Sequence, residues 1–153
     1  MSAIHARLKK LAITLPKAAA PVANYVPYVR TGNLLLISGQ IAFGPDGLMK
    51  GCLGKTMDIE TGQKAARLCA LNLIAQANAA LDGDLDAITR VVRLGGFVNA
   101  TSDFEDIPHV INGASDVMVD VFGDIGRHAR AAVSCPNLPL GSAVEVDAMF
   151  EVK

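Results

Sequence analysis

Apolar and polar residues alternate strictly near the end of the chain. Val144, Val146, Ala148, Phe150 and Val152 interleave with Glu145, Asp147, Met149 and Glu151. A period of two is the signature of a half-buried strand. Ala129, Ala131 and Val133 interleave in the same way with Arg130, Ala132 and Ser134, which predicts a second strand. Residues 88–98 are apolar and β-branched with Arg90 and Arg93 interspersed, and read as a third. Upstream, Tyr25 to Arg30 and Asn33 to Ser38 flank Thr31-Gly32 as a β-hairpin. The unbroken run Leu34-Leu35-Leu36-Ile37 predicts a strand buried on both faces. Gly39 and Gln40 lead into a short extended piece, Ile41 to Phe43, before the turn signal Gly44-Pro45-Asp46-Gly47.

Three segments follow the helical period instead. Residues 2–12 place Ile4, Leu8 and Leu11 at helical spacing, and Pro16 is expected to end that helix. Residues 60–81 form the first long helix, with Asp58 as N-cap and Asp82-Gly83 closing it. Its apolar face is read as Ala65, Leu68, Leu71, Ala75 and Ala79, with Lys64, Arg67 and Gln76 pointing elsewhere. The second long helix has Pro108 in its first turn and a 3.6-residue stripe of Val110/Ile111, Ala114, Val117/Met118 and Val121/Phe122. Gly123 and Gly126 end it. The order hairpin, helix, strand, helix, strand, strand predicts an α+β fold, a mixed sheet with two helices on one face. No repeat, low-complexity tract or linker interrupts it, so residues 1–153 are expected to form one domain, with 1–20 as an N-terminal extension.

Composition sharpens this picture. Of 153 residues, 51% are hydrophobic and 19% charged, with no Trp, so small aliphatic residues must carry the packing. The mean hydropathy of +0.34 is high for a soluble monomer of this size, yet no apolar run is long enough to span a bilayer. The excess apolar surface is therefore expected between subunits of a symmetric homo-oligomer. A net charge of −1 leaves no electrostatic footprint for nucleic acid. Cys52, Cys69 and Cys135 have no metal-like or redox spacing, and Cys69 reads as a packing residue. The N-terminus lacks the layout of a signal peptide, which makes the cytoplasm the expected location.

The candidate chemistry lies at the C-terminal end. Arg130 sits among small residues, where a guanidinium can reach a planar carboxylate with two parallel hydrogen bonds. Glu145 follows on the next strand. Taken alone, the two would be a surface ion pair of little worth. The run Ala-Arg-x-x-Val, Leu138-Pro139, Val-Glu-Val-Asp-Ala, however, resembles the C-terminal signature of the Rid/YjgF family of small trimeric proteins. The likeness extends back to Pro21. Tyr25, Gly32-Asn33 and Ser38-Gly39-Gln40 match the family's N-terminal motif in order, and Asn112 sits where the family carries a helix-borne Asn near the ligand cleft.

The resemblance implies a chorismate-mutase-like fold, a homotrimer with clefts between subunits, and no metal or organic cofactor. Members with the Arg hydrolyse reactive enamines and imines of amino acids to 2-oxo acids and ammonia. On that reading Arg130 clamps the carboxylate of a small-molecule substrate at a subunit interface. Glu145 holds or activates the attacking water and shuttles a proton, and Tyr25, Ser38 and Asn112 orient substrate or water. The chain departs from the commonest pattern: His128 stands where a Pro is usual, Ala132 where a small Cys, Ser or Thr is usual, and Asn24 precedes Tyr25. Extra residues occur around Glu105 to His109. These departures mark a divergent branch and leave the substrate's side chain open. A second reading keeps the trimer and the Arg130 anion site as a non-catalytic carboxylate sensor. RNA cleavage, an older label of the family, is disfavoured by the near-neutral charge and the lack of a basic-aromatic surface.

Overall fold

A computed structural model describes residues 2–21 and 23–153. One five-stranded mixed sheet carries the fold, with its helices on one face. The elements run α1 (Ala3–Lys10), β1 (Tyr28–Thr31), β2 (Leu34–Ile41), β3 (Phe43–Gly44), β4 (Gly47–Leu48), α2 (Ile59–Ala80), β5 (Ile88–Asn99), α3 (Ile107–Phe122), β6 (Ala129–Cys135) and β7 (Val144–Val152). The sheet order is β1-β2-β7-β5-β6, antiparallel throughout except for the parallel β5–β6 pair, while β3 and β4 form a separate ribbon. The α+β class and the helix placement follow the sequence pattern.

The period of two in β7 does what it promises. Val144, Val146, Ala148, Phe150 and Val152 are buried under the helices, and Glu145, Asp147, Met149 and Glu151 point to the other face. The stripe of α3 is likewise buried at Val110, Ile111, Ala114, Val117, Met118, Val121 and Phe122. Pro108 sits in its first turn and Gly123 caps it at φ 68°. In α2 the Asp58 side chain accepts from the Thr61 N–H at 2.8 Å, the N-cap the sequence announces.

Several details differ from the sequence reading. The buried side of α2 is Gly62, Ala65, Ala66, Cys69, Ala70, Leu73, Ile74, Ala75 and Ala77, which includes the expected Ala65 and Ala75; Leu68 and Leu71 stand at its border and Ala79 is exposed. The helix packs against the sheet and α3 at once, so small residues take the deepest positions. Gln76 is buried because the segment after α1 crosses it, and its Nε2 donates to the Ala19 carbonyl at 2.7 Å. The hairpin turns at Gly32-Asn33, with Gly32 at φ 59°, and β1 starts at Tyr28, leaving Tyr25 in a bend ahead of Pro27. β2 runs on through Gly39 and Gln40 to Ile41, with an irregularity between Ile37 and Gln40. The first helix ends at Lys10, well before Pro16, because Ala12 turns left-handed at φ 55° and its N–H and that of Ile13 fold back onto Lys9 and Leu8. Leu8 is buried, and Asp86 accepts from the first backbone N–H groups of α1.

The second face of the sheet has no cover among the described residues. Leu36, expected to be buried on both sides of its strand, is 37% exposed, and Val29 and Val133 are about half exposed. The apolar positions of β6, Ala129, Ala131 and Val133, lie on this open face, whereas Arg130 and Ala132 turn toward α3. Among the described residues no helix is long and apolar enough to cross a membrane.

Candidate active site

Arg130 sits on β6, an edge strand, in register with Leu94 of β5. Parallel pairing with β5 turns its side chain to the helix face, where α3 receives it. Its Nη1 donates to Asn112 Oδ1 at 2.8 Å and to Ser115 Oγ at 3.1 Å, and its Nη2 reaches the Pro108 carbonyl at 3.4 Å. Asn112 and Ser115 are three residues apart on one helix, so their side chains share a face. A guanidinium has five N–H donors. The contacts to α3 leave Nε–H and one Nη2–H without a partner among the described residues, a fork suited to the two oxygens of a carboxylate. The extra residues around 105–109 form the approach to α3 and its first turn, so they deliver the Pro108 carbonyl to Arg130.

Glu145 lies on the other side of the sheet. It is paired with Ile41 of β2 and Phe97 of β5. Its carboxylate rests on Gly39: a β-carbon at Gly39 would stand 2.7 Å from Oε1. The group is half-buried, and burial raises its pKa above the ordinary carboxylate value, with the Asp147 charge adding to the rise. Asp147 lies two residues along the same face and pairs with Arg93 at 3.6 Å. A carboxyl displaced toward neutrality is fit to give and take a proton.

Ser38 and Tyr25 belong to the Glu145 side. Ser38 Oγ donates to the Val26 carbonyl at 2.8 Å, and its backbone N–H to the Pro27 carbonyl at 2.9 Å, so Ser38 pins the segment that carries Tyr25. Tyr25 is 52% exposed and lines a hollow of about 280 Å³ with Gly39, Gln40, Asn72 and Gln76. A second hollow, about 540 Å³, opens on the bare sheet face between Leu36, Ser38, Gly39, Arg93 and Asp147.

The structure thus joins Arg130 with Asn112, and Tyr25 and Ser38 with Gly39 beside Glu145, but not these two groups with each other. Two strand spacings, about 10 Å, and the thickness of the sheet separate them within one chain. Sequence reasoning missed Ser115; its spacing from Asn112 was the available signal. The nearness of His128 to Arg130 in sequence suggests a residue that tunes the pocket by its charge near neutral pH, with an exposed strand-entry residue as the plainer reading; the fold makes it part-buried, with contacts to Ser115 and Gly126. Among the described residues no group of His, Cys, Asp or Glu is arranged to hold a metal ion.

A helix-backed mixed sheet with an arginine at its edge strand and a carboxylate on its open face defines the class to which comparison then gives a name. Residues 5–152 match the family model described as "YjgF/chorismate_mutase-like, putative endoribonuclease". The chain belongs to the YjgF/chorismate-mutase-like family. It is 50% identical over 151 residues to Protein TCP17 of Trypanosoma cruzi, covering 97% of this chain and 94% of that one. The crystal structure of Atu1372 from Agrobacterium tumefaciens, a protein of unknown function, superposes with a TM-score of 0.91 at 46% identity, covering 98% of this chain and 92% of the other. A Shewanella oneidensis protein solved at 1.85 Å superposes with a TM-score of 0.94 at 35% identity, covering 99% and 100%. The YjgF product of Escherichia coli is more distant, and the identity levels place this chain on a divergent branch.

Proposed function

We propose that this protein hydrolyses enamine and imine intermediates of amino acids to 2-oxo acids and ammonia, without a cofactor, at clefts between subunits of a homotrimer. The observation that carries this reading is the open fork of Arg130, held by Asn112 and Ser115 in a position the Glu145 carboxyl of the same chain does not share. A second copy supplies the missing half. The uncovered sheet face with Val29, Leu36 and Val133 gives such a copy an apolar surface to pack on.

The groups suit the chemistry step by step. The Arg130 fork takes the substrate carboxylate and fixes the carbon to be attacked. For an enamine, protonated Glu145 delivers its proton to the β-carbon, giving the iminium. The resulting carboxylate then takes a proton from water as the water oxygen adds to the iminium carbon. Returning that proton to nitrogen makes ammonia the leaving group, and as the C–N bond breaks the Glu145 carboxylate takes the proton of the carbinol hydroxyl, which becomes the carbonyl. Water is consumed once, and Glu145 ends as it began. A raised pKa favours the protonated form that the first step needs.

The test is a coupled hydrolysis assay on imines generated in situ by an amino-acid oxidase, with wild type beside Arg130→Ala. Acceleration that vanishes in the variant while the assembly persists supports the proposal. No acceleration from any imine, with a folded assembly, moves the reading to a carboxylate-binding protein on the same scaffold.

A further inference from the structure

Arg130 is tied to a second, unassigned group. Ser115 Oγ, which accepts from Arg130 Nη1, also lies 2.9 Å from His128 Nε2, and His128 Nδ1 lies 2.7 Å from the Gly126 carbonyl. A carbonyl only accepts, so Nδ1 carries a proton. In the neutral ring Nε2 is then an acceptor, and the Ser115 hydroxyl must donate to it. That leaves the Ser115 oxygen one role toward Arg130, which is to accept. The chain Arg130 → Ser115 → His128 → Gly126 therefore has a single polarity, and every donor in it has one acceptor.

We propose that His128 is a positioning residue that fixes the Arg130 guanidinium through Ser115 and releases it when the imidazole takes up a proton. The inference rests on Arg130 being the carboxylate anchor. A proton on Nε2 removes the acceptor that the Ser115 hydroxyl uses. Ser115 is then faced by donors on both sides, and a second positive charge stands beside the guanidinium. The geometry favours the neutral ring: burial lowers the His128 pKa below its ordinary value and the Arg130 charge lowers it further, against the Gly126 hydrogen bond. The surroundings offer little to offset this. From α3 the ring meets the uncharged Ser115, with Asn112 one turn away. Asp116 and Asp120 of that helix line a groove against α2 instead. The exposed His109–Asp106 pair sits at the helix start, and the Asp124–Arg127 pair on the preceding turn is largely in solvent. Across the sheet Arg93 and Asp147 occupy the other face.

The experiment is pyruvate binding by calorimetry from pH 5 to 8, a range in which pyruvate stays ionised. The proteins are wild type, His128→Gln, Ser115→Ala and Arg130→Ala, each checked for assembly by sedimentation, with the imidazole titration followed by NMR. Wild-type affinity is expected to fall roughly tenfold on acidification, with its inflection at the His128 titration seen by NMR. His128→Gln, which cannot titrate but keeps Glu145, should lose the inflection and bind more weakly at pH 8. Ser115→Ala should lose it too, and in Arg130→Ala the His128 pKa should rise. An inflection that persists in His128→Gln, or in Ser115→Ala should His128→Gln not assemble, overturns the proposal. Wild-type binding by Arg130→Ala instead overturns the anchor itself, so the two failures are distinct.

Discussion

Glu145 rests on Gly39 of the neighbouring strand so closely that a β-carbon there would stand 2.7 Å from its Oε1. Gly39 does not need its glycine for a left-handed backbone, since it is not among the positive-φ residues. It is needed for space. Gly39→Ala should therefore fold and displace the carboxylate. Steady-state kinetics should show kcat down roughly tenfold or more with KM changed less, since positioning of the proton carrier is lost and the carboxylate anchor is not. An unchanged kcat would mean that Glu145 is not positioned by this contact.

The raised pKa of Glu145 has a consequence for stability. The folded state holds this proton more tightly than the unfolded chain, whose carboxyl titrates near its ordinary value of 4.5. Its contribution is present below that value and is lost as pH rises through the raised folded value. Glu145→Gln has no charge to bury. Relative to wild type it should gain stability in urea unfolding as pH rises above 4.5, while losing turnover and keeping pyruvate binding.

Asn112 is expected to act through Arg130. Its Oδ1 accepts from Nη1 at 2.8 Å, and removing it frees the guanidinium to reorient. Asn112→Ala should raise KM about tenfold, the loss of one charge-assisted hydrogen bond, with a smaller effect on kcat. Equal loss in both would make Asn112 a participant in the reaction step instead.

Gly113, next along α3, serves the fold. A β-carbon there would run into the backbone carbonyl of Gln63, because α2 and α3 approach backbone to backbone at this point. Gly113→Ala should destabilise the protein by about 1–3 kcal/mol, read from the midpoint of denaturant unfolding. A neutral effect would mean that the helices separate at little cost.

Where local pattern decides structure, the sequence was readable. The stripe of α3 and the alternation of β7 are buried residue for residue as their periods require. The reading failed where tertiary context decides. Leu34 to Ile37 looks like a strand buried on both faces, but nothing among the described residues covers Leu36. Gln76 looks like a solvent-facing residue of α2 until the segment at Ala19 crosses over it. The site divides the same way. Arg130, Asn112, Glu145, Ser38 and Tyr25 stand out through their motifs. Their grouping into two halves depends on which face of the sheet each strand turns to α3, and residue types do not show that. The Ser115–His128 link needs α3 laid against β6 before it can be seen.

The central claim, a site assembled from the Arg130 half of one subunit and the Glu145 half of another, is tested most directly by mixing two inactive variants. Arg130→Ala and Glu145→Gln are unfolded together, refolded as mixed assemblies, and assayed for imine hydrolysis. Random assembly joins an intact Arg130 to an intact Glu145 at about one interface in four, so roughly a quarter of wild-type activity should return. Mixed assemblies that form and remain as inactive as either parent would contradict the account.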